Sequence, residues 1–181
     1  MSARIGLAIA VALQTIALVT IVGMKQWTLN TGTQVVLETR PVDPRSLFRG
    51  DYVVLRYAIG TLDAGLPGMP KDIGSGEAVF VTLRQDGEFW KAVSVHAARP
   101  EPAPGDVVIK GKTPYAASGI KTLEIRYGIE EYFVPEGEGR AIEQPRQQGK
   151  VSILVAVDRF GNAGIKAVLI DGVRRYEEKL F

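Results

Sequence analysis

Cysteine is absent from all 181 residues. No disulfide, thiolate metal site or cysteine nucleophile is therefore available. Zero cysteine is compatible with either side of a membrane, so it says nothing of redox compartment. Histidine occurs once, as His96. Zinc and haem sites want clustered ligands, and a lone His reads as an ordinary strand residue. EF-hand carboxylate spacing is missing, and Gly137-Glu138-Gly139 lacks both the remaining glycines and the Lys-Ser/Thr of a phosphate loop. No metal and no cofactor is expected. Charge of one sign is also lacking: the formal net charge is +2. Nucleic acid wants clustered excess Lys and Arg, so it is not expected as a partner. There is no internal repeat of fixed period and no low-complexity tract.

What the chain does have is a long apolar run. Ile5–Met24 carries no charge, and its 20 residues would make a helix of about 30 Å, the hydrocarbon thickness of a bilayer. Arg4 and the terminal amine precede it and Lys25 follows. That bias places the N-terminus inside and the body outside, with Trp27 at the outer interface. A cleaved signal peptide is the rival, but its apolar core is shorter and Ile21-Val22-Gly23 is a poor cleavage site. The expected layout is a cytoplasmic N-terminus at 1–4, a transmembrane anchor at 5–24, a polar linker at 25–32 and an exported β-rich domain at 33–181. The implied location is the inner membrane, single pass, with the domain periplasmic or extracellular and lipid contacting residues 5–24.

The body reads as short strands separated by Gly, Pro and Asp turns. Strands are expected at Thr33–Arg40, Asp51–Tyr57, Glu77–Arg84, Glu88–Val95, Val107–Lys112, Lys121–Tyr127, Glu131–Val134, Val151–Val157, Ala163–Ile170 and Val173–Leu180. Ile59–Gly76 reads as a long loop with room for a short helix. Glu136–Gln148 is the best helix candidate outside the membrane, interrupted near Pro145. The fold class is mainly β: an antiparallel barrel or sandwich-like domain with one or two short helices.

The densest stretch is Val42–Tyr57. Asp43 suits a helix N-cap and Pro44 the first helical position. Gly50 suits the left-handed stop. Alternation then puts Val53, Leu55 and Tyr57 on a core face and Tyr52, Val54 and Arg56 on the other. Ser46 is the one catalytic candidate in this stretch, with Ser118 and Ser152 the other serines of note. A triad would need His96 with Asp51 or Asp106, and a Ser-Lys dyad would need a buried lysine such as Lys91 or Lys110. Nothing in the spacing brings these groups together. Glu130, Glu131, Glu136 and Glu138 crowd into one segment, where ordinary ion pairing with Arg40, Arg45, Arg49 or Arg56 is the plainer reading than an acid–base pair.

Gly50-Asp51-Tyr52-Val53-Val54-Leu55-Arg56-Tyr57 matches G-D-Y-x-x-L-x-Y, and the chain resembles the GDYXXLXY family of bacterial membrane-anchored proteins. Tyr127-Gly128-Ile129-Glu130-Glu131-Tyr132-Phe133-Val134-Pro135-Glu136-Gly137 resembles that family's second block. The resemblance covers nearly the whole chain. It carries no assigned reaction and implies a multi-pass membrane protein as partner. Ser46–Leu55 also faintly resembles the tail of a type I signal peptidase box, but the nucleophile position falls on Val42 and no Lys-bearing second box is visible.

The preferred expectation is a binding or assembly module on a membrane anchor, more a binder than an enzyme. Its contact residues would be Asp43, Arg49, Asp51, Tyr52, Arg56, Tyr127, Glu130, Tyr132 and Glu136. Pro44, Gly50, Leu55 and Tyr57 would shape the motif. The alternatives are a membrane-anchored peptidase of signal-peptidase-like architecture and an envelope structural protein. A cleft where the two blocks meet would mark a site.

Overall fold

The structure, a computed structural model, describes residues 3–40, 52–119, 121–133 and 151–177. Helix α1 (Ala3–Thr31) leads into strands β1 (Thr33–Arg40), β2 (Tyr52–Val54), β3 (Arg56–Tyr57), β4 (Thr61–Asp63) and β5 (Asp72–Ile73). A single 3-10 turn at Ala58–Gly60 separates β3 from β4. Then come β6 (Ala78–Asp86), β7 (Phe89–His96), β8 (Asp106–Lys112), β9 (Ala117–Ser118) and β10 (Thr122–Glu124). The chain closes with β11 (Glu131–Phe133), β12 (Val151–Val157), β13 (Ala163–Ile170) and β14 (Val173–Glu177). The mainly β, sandwich-like expectation holds. The sheets are open, not closed into a barrel.

The larger sheet runs β14-β13-β12-β1-β3 and the smaller β7-β6-β8, with two-stranded ladders β10-β4, β11-β2 and β5-β9 beside them. Among the described residues the strands pair antiparallel throughout, which lets tight turns join neighbours such as β6–β7 and β12–β13. One core joins the two sheets: Val79, Val81 and Leu83 of β6 and Ile109 of β8 pack with Val35 and Leu37 of β1 and Ile153 and Val155 of β12. Their period of two on β6 is the pleat directing alternate side chains inward. Burying one such side chain contributes about 1.5–3 kcal/mol. Every residue of β12 is buried, which fits a sequence apolar at every position but Ser152: it is a central strand covered on both faces.

Turn chemistry sets the hairpins. Asp171 and Gly172, both at positive φ, join β13 to β14 as a type I′ turn suited to the twist of the strands. Gly87 supplies the positive φ in the two-residue turn between β6 and β7.

Two expectations are corrected. The segment 25–32 is not a polar linker, because α1 continues through it to Thr31. The Thr31 hydroxyl donates to the Trp27 carbonyl at 2.8 Å, and the Thr28 hydroxyl donates to the Asp158 carboxylate at 2.7 Å. Leu29 is buried against Gly164 of β13. Those contacts outweigh the segment's polar composition. The stretch Ile59–Gly76 is not one long loop either, since β4 and β5 interrupt it and pair with β10 and β9. The helix expected at Glu136–Gln148 lies outside the described residues.

α1 is long and apolar enough to cross a membrane, and its apolar stretch is not buried against the domain. Leu7, Leu13, Val19 and Val22 each leave more than half their surface uncovered. Among the described residues, α1 is buried only in its last turns, at Thr28 and Leu29.

Candidate functional site at the helix exit

The two sequence blocks meet. β2 and β11 pair antiparallel, with Val54 opposite Glu131, Val53 opposite Tyr132 and Tyr52 opposite Phe133. One residue on, the Leu55 N–H donates to the Glu130 carbonyl at 2.7 Å. Leu55 and Tyr57 turn into the core and Arg56 is exposed, as their alternation requires. The ladder is then locked by reciprocal tyrosines. The Tyr57 hydroxyl donates to the Ile129 carbonyl at 2.5 Å, and the Tyr127 hydroxyl donates to the Ile59 carbonyl at 2.7 Å. Each block thus satisfies a buried carbonyl next to the other. Burial first, and the Glu130 charge second, push both phenols well above the ordinary tyrosine value. Both therefore act as neutral donors.

Glu130 sits at the centre of this arrangement. Its carboxylate accepts the Tyr127 N–H at 2.5 Å and the Gly128 N–H at 2.9 Å. It closes the turn that precedes β11, with Gly128 at φ +77° supplying the left-handed step. Glu130 is thus engaged by backbone amides and shapes a turn.

A groove of ≈ 200 Å³ opens beside this ladder. Gly128, Ile129, Glu131 and Tyr132 form one wall, and Ala163, Gly164 and Ile165 of β13 form another. Lys25 closes the end where α1 leaves the domain. The lining is apolar at Ile129 and Ile165, with one charge of each sign at Lys25 and Glu131. Such a mixture suits an interface with another protein better than it suits bond-making chemistry. A second hollow of ≈ 340 Å³ lies where β5 meets β9, and it draws no residue from either block.

The family assignment follows from the same stretch. A protein-family model described as GDYXXLXY protein matches residues 14–168. The chain belongs to this family. The match takes in both paired blocks and reaches from within α1 to β13. No curated protein and no solved structure matches the chain.

Of the contact residues expected from the family pattern, Tyr127 is core, Glu130 closes a turn and Arg56 lies on the exposed side of β3. Tyr132 lines the groove, and Tyr52 takes its place in the ladder. Asp43, Pro44, Ser46, Arg49, Gly50, Asp51 and Glu136 lie outside the described residues. Lys25, Ile129 and Ile165 were not expected. Lys25 carried a signal, the charge that ends the apolar run, but its meeting with β13 is a tertiary fact.

The catalytic constellations weighed from sequence are not assembled among the described residues. Asp106 is held by Arg84 through two contacts of 2.8 Å, which lower its pKa and commit it. The His96 Nε2 lies 3.0 Å from the Ser94 hydroxyl, but the Nδ1 edge of the ring is packed on Gly68, where even a Cβ would come within 2.8 Å. The ring bonds to Ser94, and among the described residues no carboxylate is bonded to Nδ1 to orient it. Lys91 pairs with Asp86 in the open, and the Ser118 hydroxyl donates to Asp72. Ser152 is buried within β12. Among the described residues, no three or more His, Asp or Glu side chains converge as metal ligands do.

Proposed function

We propose that this protein is a single-pass inner-membrane protein whose exported β-domain docks onto another membrane protein through the groove at the helix exit. The observation that carries this reading is the position of the groove. It lies between the paired family blocks and the point where the apolar helix leaves the domain. A partner embedded in the same bilayer would meet that surface first. The charge bias around the helix, with Arg4 and the amine before it and Lys25 after it, supports a cytoplasmic N-terminus and an exported domain. The docking of α1 on β13 through Leu29 fixes the groove's height above the bilayer, which favours a partner held at a matching height.

Photo-crosslinking in native membranes tests this. A photoreactive residue at Glu131 or Tyr132 should give a discrete adduct with an integral membrane protein. The same residue at Glu88, in the β6–β7 turn, should give none. Equal or absent adducts at both places would overturn the reading.

A further inference from the structure

The β12–β13 turn, Asp158–Asn162, is built in an unusual way for a surface loop. Its first residue is only 7% exposed. The Asp158 carboxylate accepts the N–H groups of Phe160 and Asn162 at 2.8 and 2.9 Å, and the Asn162 side-chain amide at 2.9 Å. It also accepts the Thr28 hydroxyl of α1, at 2.7 Å. Gly161, at φ +88°, packs against β8, and its carbonyl accepts the Lys110 N–H at 2.8 Å. The turn is therefore rigid, and it is fastened to the flank of the helix. What it presents is Phe160, 56% exposed, with the Arg159 guanidinium 4.8 Å above its ring.

Height decides what that ring meets. If Ile5–Met24 fills the hydrocarbon, Thr28 lies about 6 Å further along the axis. The headgroup layer on each side of a bilayer is roughly that thick. Trp27, the neighbour of Thr28, is 57% exposed at the same level. Aromatic rings with a polar or charged companion are at home in this layer. Pinning Phe160 outward has no purpose in the core, since the ring is not among the side chains that pack there.

We propose that the Asp158–Asn162 turn is a second membrane contact, in which Phe160 enters the interfacial layer beside α1 and Arg159 meets lipid phosphate. It rests on the reading of α1 as a membrane span. The occupant is the lipid interface itself, and the contact would give the joined helix and domain a second point of attachment to the bilayer, limiting their common tilt.

The absence of cysteine makes the test direct. Full-length protein carrying a single spin label is reconstituted in vesicles containing anionic lipid. Labels are placed at Phe160→Cys, Arg159→Cys, Leu18→Cys and Glu88→Cys. Leu18, exposed on α1 within the apolar run, is the hydrocarbon reference. Glu88 adjoins Gly172, at the end of β13 opposite Ala163, and serves as the aqueous reference. Accessibility to oxygen and to a water-soluble nickel complex is compared at each site. The expected result is a shift toward oxygen at 160, intermediate between Leu18 and Glu88, with a smaller shift at 159. A label at 160 as exposed to nickel as that at 88, with Leu18 shielded, overturns the inference and leaves the span standing. A label at 160 shielded from both reagents places the turn against protein and also overturns it. A nickel-accessible Leu18 overturns the span and the inference together.

Discussion

Two phenol hydroxyls and one carboxylate hold the parts of this molecule that are far apart in sequence. Tyr57→Phe would leave the buried Ile129 carbonyl without its donor, and Tyr127→Phe would do the same to Ile59. Each change is expected to cost about 1–2 kcal/mol, read by chemical denaturation of the full chain in detergent. Because folding raises both phenol pKa values, their contribution is complete below the ordinary tyrosine value and is lost as pH rises beyond about 10. The phenylalanine variants should show a shallower alkaline decline than wild type. Asp158 works in the other direction. Burial alone would raise its pKa, but hydrogen bonds from Asn162, Thr28 and two backbone amides outweigh it and leave the pKa below the usual carboxylate range. Its stabilisation is present above about pH 4 and fades as pH falls through the depressed value. The stability gap between wild type and Asp158→Asn should accordingly be widest near neutrality and shrink on acidification. A gap independent of pH would show that charge on Asp158 is not what holds the turn.

At the scale of elements, the junction between α1 and β1 is the tightest point. A Cβ on Gly32 would lie 2.6 Å from the Thr28 carbonyl oxygen and 2.9 Å from the Val157 nitrogen. Both are backbone atoms and neither can step aside. Gly32→Ala is expected to destabilise the domain by about 1–3 kcal/mol and to loosen the seat of Leu29, seen as faster amide exchange in Thr28–Thr33. The sequence shows this glycine only as a residue ending the helix; half of the clash, with Val157, comes from a strand more than a hundred residues away. The strands themselves were legible. Thr33–Arg40, Val151–Val157 and Ala163–Ile170 stand where β-branched composition and the Asp and Gly turns put them. Local chemistry suffices to place these strands, since β-branched composition and the flanking turns bound each one, while the pairing of Thr33–Arg40 with Val151–Val157 is a tertiary fact. The linker expected at 25–32 fails for the opposite reason. Its polar composition suggests a linker, and what keeps it helical is a tertiary partner, β13 with Asp158. The pairing of β2 with β11 was likewise beyond composition. The family pattern named both blocks, but only the structure put them in one ladder.

At the scale of the whole molecule, an apolar helix, a β-sandwich and a groove between them form one continuous object. α1 and the domain share buried contacts at Thr28 and Leu29, so tilt of the helix in a bilayer would carry the domain with it. The central functional claim is that the groove lined by Ile129, Glu131 and Tyr132 receives a membrane partner. Its most direct test is the co-purification of that partner, identified by photo-crosslinking, with a Glu131→Lys/Tyr132→Ala double variant in mild detergent. Truncating an aromatic anchor and reversing a rim charge should lower partner recovery by about tenfold or more. The unfolding midpoint should stay within a few degrees of wild type. Undiminished recovery with a properly folded variant would contradict the claim.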